Sequence, residues 1–228
     1  MFSILKQIKK KVKKKMINNL PKSLIEFSRN FLLESHHLID VDGEIKHRHN
    51  SNGEPIHPTD EGIRNFHRWF NGSKAVDEHG RPLVVYHGSD NEFENFSPEK
   101  IGSNNDSGYL GRGFYFSTSK NTARSYQSDL DKEPKAFYLK LKNPQKGGWF
   151  SGEGYLNATK FSGDQDGAMW EHEDYDNPGE TGSIEYVVKE PHQIKSATFN
   201  NGNFQHSDHV NESFYDHIEL PKTNDVKE

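Results

Sequence analysis

Three short stretches of this chain bring together residue types that can do chemistry. VVYHGS spans 84–89, GRGFYFSTSKNTARSYQ spans 111–127 and IEYVVKEPHQI spans 184–194. His87 precedes Gly88 and Ser89. An imidazole can exchange hydrogen bonds with a hydroxyl, and a glycine lets a ligand approach the backbone N–H and C=O. Tyr115 and Tyr126 stand eleven residues apart. Tyrosine faces hold a flat cation by stacking and cation–π attraction, about 0.5–2 kcal/mol per contact. Glu185 offers a carboxylate that can stabilise a developing positive charge, and Glu190 is its rival in the same stretch. Each residue also has a plainer reading. His87 can be a satisfied strand-end histidine, the tyrosines core packing, and Glu185 a solvated strand glutamate. Arg112 reads first as a surface residue and second as a phosphate contact.

These residues need elements to position them. Leu83–His87, Gly113–Phe116 and Ile184–Val188 read as short strands, and the alternation of Phe137, Leu139 and Leu141 with polar neighbours predicts another. Gln193–Phe199 reads as the last strand. A helix fits 60–71, with Thr59 as N-cap and Ile63, Phe66, Trp69 and Phe70 as its apolar face. A short helix is expected over 119–129. The Gly-rich, acidic stretch 145–183 predicts long loops around one or two short strands. Short strands with few helices between them predict an α+β fold. The glycines at 108, 111 and 113 do not open a helix after a strand, which argues against a dinucleotide-binding βαβ unit.

The 228 residues suffice for one domain with an extension. The domains expected are a basic helical extension and linker over 1–58, a catalytic body over 59–205 and a polar, loosely held tail over 206–228. Residues 1–20 have the pattern of a basic amphipathic helix, 23–38 that of a second helix, and 39–58 that of a linker or long loop. The chain has 29 basic and 34 acidic residues. Residues 1–22 hold eight Lys and no acid, so 21 basic and 34 acidic residues remain in 23–228, a net of −13. A basic arm is thus attached to an acidic body. It can be a solvated helix face, or bind nucleic acid phosphates, an anionic membrane surface or an acidic partner such as an antitoxin. With no Cys, disulfides and cysteine-based zinc sites are excluded. The histidines at 36, 37, 47, 49 and 57 lack an accompanying metal motif, and no metal is expected. No apolar run approaches the roughly 20 residues that span a bilayer, and no apolar secretory segment is seen. A cytoplasmic location is the expectation.

Together the three stretches resemble the His-Tyr-Glu class of ADP-ribosyltransferases, which includes diphtheria toxin and the poly(ADP-ribose) polymerases. The phrases VVYHGS, GFYFS and YVVKEPHQIKSA are closer still to the small ADP-ribosyltransferase-like domains of bacteria, phages and conjugative elements, often found within polyvalent proteins. The resemblance covers about 60–205. It implies an α+β core of two packed β-sheets with short helices. It also implies NAD⁺ as a consumed substrate rather than a recycled cofactor. His87, Tyr115 and Glu185 would be the catalytic set, and His87, Gly88, Ser89, Tyr115 and Tyr126 the NAD⁺ contacts. Breaking the nicotinamide bond gives the ribose oxocarbenium character, as in glycoside hydrolysis. The resemblance assigns Glu185 to the ribose 2′-OH and the developing charge, the two tyrosines to the nicotinamide, Gly88 to its carboxamide, and His87 to a ribose hydroxyl, with Ser89 assisting. The polymerases carry a carboxamide-binding serine three residues before the second tyrosine. Here Ala123 stands there, so that bond is missing or comes from Thr122.

The activity expected is mono-ADP-ribosylation of a macromolecule, nucleic acid slightly ahead of protein, in a toxin, an anti-phage effector or a phage factor. The rivals are an NAD⁺ glycohydrolase and a non-catalytic nucleic-acid-binding module that works through the basic arm. The loop over 171–183 would set the acceptor, and its sequence names none.

Overall fold

The computed structural model describes residues 37–91, 93–102, 110–148, 163–172 and 182–210. The basic arm, nearly all of the second expected helix, Gly108 and most of the 171–183 loop lie outside these residues. The described residues fall into two units that divide between His47 and Arg48.

In the first unit, β1 (Leu38–Val41) and β2 (Glu44–His47) form an antiparallel hairpin, with Val41 opposite Glu44. Leu38, the last residue of the second expected helix, is therefore in a strand, and the expected linker begins as a hairpin. The reason is local. Asp42 and Gly43 both take positive φ, 51° and 93°, as a two-residue turn between twisted strands requires, and Asp-Gly is among the pairs best suited to it.

The second unit is built on a seven-stranded sheet in the order β6-β7-β8-β4-β3-β5-β9. The strands are β3 (Val85–His87), β4 (Phe114–Ser117), β5 (Lys135–Leu139), β6 (Pro144–Gly148), β7 (Gly167–Glu171), β8 (Ile184–Val188) and β9 (Ile194–Ser196). All neighbours are antiparallel except β6 and β7. The helices are short: α1 (Asp60–Phe70), α2 (Lys120–Arg124) and two single 3₁₀ turns at Pro98–Lys100 and Pro191–Gln193. This is the expected α+β class. The two sheets implied by the resemblance are here two halves joined at a narrow seam. Tyr86 opposite Ser117 is the one paired position between β3 and β4, whereas β4 and β8 share four.

The Thr59 hydroxyl accepts from the Gly62 N–H and starts α1. Ile63, Phe66, Trp69 and Phe70 are all buried. Phe66 meets the Tyr138 ring of β5 at 4.7 Å. Each such side chain contributes about 1.5–3 kcal/mol through burial. Residues 48–58 are tied to the sheet rather than free as a linker. Asn50 Nδ2 donates to the Tyr138 hydroxyl at 3.0 Å, and the Val84 N–H donates to Ser51 Oγ.

Residues 206–210, the first five of the tail expected to be loose, are held in place, and 211–228 lie outside the described residues. Lys195 on β9 is fully buried, and a buried ammonium needs acceptors. Ser207 Oγ and the backbone carbonyls of Ser207 and His209 supply them at 2.8–3.1 Å. Among the described residues, no helix is long and apolar enough to cross a membrane.

Candidate active site

Strand register decides which of the singled-out residues meet. Residues opposite each other across a ladder share a face, and successive residues alternate faces. Tyr86 of β3, Ser117 of β4, Glu185 of β8 and Trp170 of β7 form one row across the sheet. Tyr115 lies on this same face, opposite Val187. This is the carboxylate face. His87, Phe114, Phe116 and Phe137 lie on the other, the phenylalanine face. So Tyr115 and Glu185 come together on one face, and the His87 ring does not join them there.

His87 is instead linked to Tyr115 through the backbone. Its Nδ1 lies 2.8 Å from the Tyr115 carbonyl oxygen. A carbonyl only accepts, so Nδ1 carries the proton and Nε2 of the neutral ring carries the lone pair. This bond reinforces the seam between β3 and β4. The ring is enclosed by aromatic neighbours, with Phe96 at 5.0 Å and Phe116 at 5.3 Å between centroids. Burial pushes its pKa below the usual imidazole value. The Tyr115 carbonyl opposes that shift, and the charge of Lys135 adds to it.

Tyr115 packs against Leu110, Ala168, Trp170 and Val187. Its hydroxyl donates to the Gly111 carbonyl at 2.8 Å and accepts from the Leu110 N–H. It thereby pins the turn that precedes β4. Arg112 in that turn is exposed.

Glu185 is a buried carboxylate, 4% exposed. His172 Nε2 lies 3.0 Å from its Oε2. Glu190, the rival, is exposed, and its backbone N–H is taken up by Gln193 Oε1 at the start of a 3₁₀ turn.

Gly88 continues β3 toward α2. A Cβ there would collide with the Ala123 carbonyl, so glycine is what lets strand and helix approach. Ser89 closes a small turn, its hydroxyl donating to the Asn91 carbonyl and accepting from the Asn91 N–H. Beyond it, Asp90 accepts from the Ser128 and Asp129 N–H groups. That capture keeps Ser128 and Asp129 out of the expected helix over 119–129, which ends at Arg124. Tyr126, just past α2, is 48% exposed. Thr122 Oγ1 is buried without a hydrogen-bond partner, so it does not face solvent where Ala123 leaves a bond missing.

Two neighbours were not anticipated from the residues. Gln127 is buried, and its Nε2 donates to the Ser89 carbonyl while its Oε1 has no partner. His172 sits in an acidic stretch with no periodicity. The available signal was the apolar run Ala168-Met169-Trp170 just before it, which marks β7. Among the described residues, no group of three or more metal-ligating side chains forms. His57 is used locally, its Nδ1 accepting from the Thr59 N–H.

The family model described as ADP-ribosyltransferase in polyvalent proteins matches residues 77–204. That span contains all three motif stretches and every strand from β3 to β9. No curated protein matches the chain. With more than half of its residues matched, the chain belongs to the family of ADP-ribosyltransferases found in polyvalent proteins, enzymes that move ADP-ribose from NAD⁺ to an acceptor.

Proposed function

We propose that this enzyme is a mono-ADP-ribosyltransferase whose reaction centre is the carboxylate face between β4 and β8. The observation that carries this reading is the pairing of Tyr115 and Glu185 on one face, with Glu185 buried and held by His172. Nicotinamide lies between the Tyr115 and Tyr126 rings, and the Gly88 backbone grips its carboxamide. The Glu185 carboxylate accepts from the ribose 2′-OH. As the bond from the ribose carbon to nicotinamide breaks, its electron pair leaves with the neutral base, and the carboxylate stabilises the positive charge left on the sugar. The acceptor's nucleophile then bonds to that carbon and gives up its proton.

In this reading His87 acts on both sides of the seam. Nδ1–H fixes the Tyr115 backbone, and Nε2, on the opposite face but at the very end of β3, accepts from a ribose hydroxyl where the dinucleotide passes round that strand end. Ser89 contributes through its backbone, since its hydroxyl is engaged in its own turn.

The acceptor is a macromolecule, with nucleic acid placed ahead of protein on the strength of the Lys-rich arm. The enzyme would serve as a toxin, an anti-phage effector or a phage factor acting on host machinery. The test uses NAD⁺ labelled in its adenylate and a cell extract. Label that nuclease removes and protease spares supports nucleic acid; the reverse pattern supports protein. Release of nicotinamide with no labelled macromolecule would replace transfer with hydrolysis.

A further inference from the structure

We propose that His172 is a positioning residue that keeps Glu185 charged and oriented for NAD⁺ cleavage. This rests on the reading of Glu185 given above. A carboxylate removed from water is costly unless it is paired and hydrogen-bonded. Glu185 is almost wholly enclosed, and its Oε2 is 3.0 Å from His172 Nε2. The histidine side chain is 34% exposed, so the pair connects the enclosed carboxylate to the surface.

The backbone at this position is hydrogen-bonded on both its N–H and its carbonyl. The His172 N–H donates to the Ser183 carbonyl at 2.9 Å, and its carbonyl accepts from the Gly182 N–H at 3.2 Å. These bonds, to Ser183 and to its neighbour Gly182, close the end of the β7–β8 ladder just beyond Glu171 opposite Ile184. Alternation then puts His172 on the face of Trp170 and Glu185. The imidazole is thus delivered from the residue that follows β7, tied back to the start of β8.

The choice of histidine has a physical reason. A Lys or Arg in its place would cancel the carboxylate's charge at every working pH and compete with the charge developing on the ribose. A neutral imidazole donates the same hydrogen bond and leaves the negative charge for the sugar. The neighbouring elements carry other titratable groups on this face: Tyr115 from β4, Tyr86 from β3 and Lys120 from α2. The Lys120 ammonium stands 5.2 Å from the Tyr86 ring centroid. Glu171 alternates to the opposite face.

The test compares nicotinamide release by the full-length protein with Glu185→Gln, His172→Ala, His172→Gln and His172→Lys. Melting temperature and NAD⁺ binding serve as fold controls. His172→Ala should lower kcat about 10- to 100-fold, the worth of a hydrogen bond to a charged group. KM should change by less than about 3-fold, since the lost bond acts mainly in the transition state. The acid limb of its kcat–pH profile should move to higher pH, because the enclosed carboxylate then protonates more easily. His172→Gln, which restores a neutral N–H donor, should recover most of kcat; His172→Lys should not.

If His172→Ala keeps wild-type kcat and pH profile while Glu185→Gln is inactive, the inference is wrong and the assignment of Glu185 stands. Loss of activity that His172→Gln and His172→Lys restore equally, or that Gln fails to restore, also overturns it. Full activity in Glu185→Gln would instead remove the reading on which the inference rests.

Discussion

His87 and His172 belong to the same sheet and are used in opposite ways. His87 lies among phenylalanines, donates to a backbone carbonyl and is pushed toward the neutral form by burial. His172 lies at the end of a strand, partly in solvent, and meets a buried carboxylate. The first is a fixed hydrogen-bonding group whose Nδ1 is committed to the backbone of the neighbouring strand. The second is a partner for charge. The difference teaches that an imidazole's role is set by what surrounds each nitrogen rather than by its place in a motif. His87 stands in the recognisable HGS triplet. His172 stands in a stretch that resembles no motif, yet it is the one that touches Glu185.

The comparison can be broken most sharply from the carboxylate face. Glu185→Gln keeps shape and hydrogen bonding while removing the charge. It should lower kcat about 100-fold or more, as loss of an oriented electrostatic group typically does, with NAD⁺ binding retained in calorimetry. Normal turnover would show that charge on this face is not what the reaction uses.

The phenylalanine face should answer differently. His87→Ala removes an enclosed ring and leaves the Tyr115 carbonyl without its side-chain donor, so denaturant unfolding should show a loss of about 2–4 kcal/mol. His87→Asn replaces the Nδ1–H donor and deletes the Nε2 acceptor. Most of the stability should return, while NAD⁺ affinity falls about 3- to 10-fold. If Asn restored binding as well, Nε2 would have no part in holding the dinucleotide.

Tyr126→Ala probes the exposed platform. The expected result is a rise in KM for NAD⁺ of about 2- to 30-fold, the range of one stacking or cation–π contact. Unfolding free energy should change by no more than about 1 kcal/mol, because about half of the residue is in solvent. A stability loss as large as that of His87→Ala would assign Tyr126 to the core instead.

The smallest effect is the pH dependence of stability. A histidine with a lowered folded-state pKa binds fewer protons in the native than in the unfolded chain. The stability it contributes is therefore present above the usual value of about 6.5 and is lost as pH falls through the lowered folded value. His192 shifts in the same direction through burial and the charge of His206. The carboxylates of Asp60 and Asp77, both held below their ordinary range by Arg partners, act further down the pH scale. Comparing wild type with His87→Asn at about pH 7.5 and about pH 5.5 isolates the His87 share. The wild type should lose more stability on acidification; equal losses would mean that His87 does not titrate with unfolding.

Much was legible in the residues alone. Helix α1 follows from a capping threonine and four apolar residues on one face, both purely local signals. Ile184–Val188 and the turn into β4 follow from apolar runs bounded by glycine, serine or charge. The motif stretches and the tyrosine spacing name the family, because the reaction needs those residue types in that order. Local signals failed where partners are distant. Asp42-Gly43 is a hairpin turn that a polar composition masked. The 206–210 stretch is held because Lys195 is buried, which no window of sequence around 206 reveals.

The residues alone name the family and the candidates for its NAD⁺ chemistry: a glutamate, two tyrosines, a histidine and a glycine, each within one of three short stretches. Their distribution over the two faces is a matter of strand pairing between distant segments. Register across β3, β4, β7 and β8 put Glu185 and Tyr115 on one face and the His87 ring on the other, joined through a backbone carbonyl. The same register brought His172, thirteen residues from Glu185 in the chain, to 3.0 Å from its carboxylate. A one-residue slip in any of these ladders would leave the composition and every motif unchanged and turn the affected side chains to the wrong face.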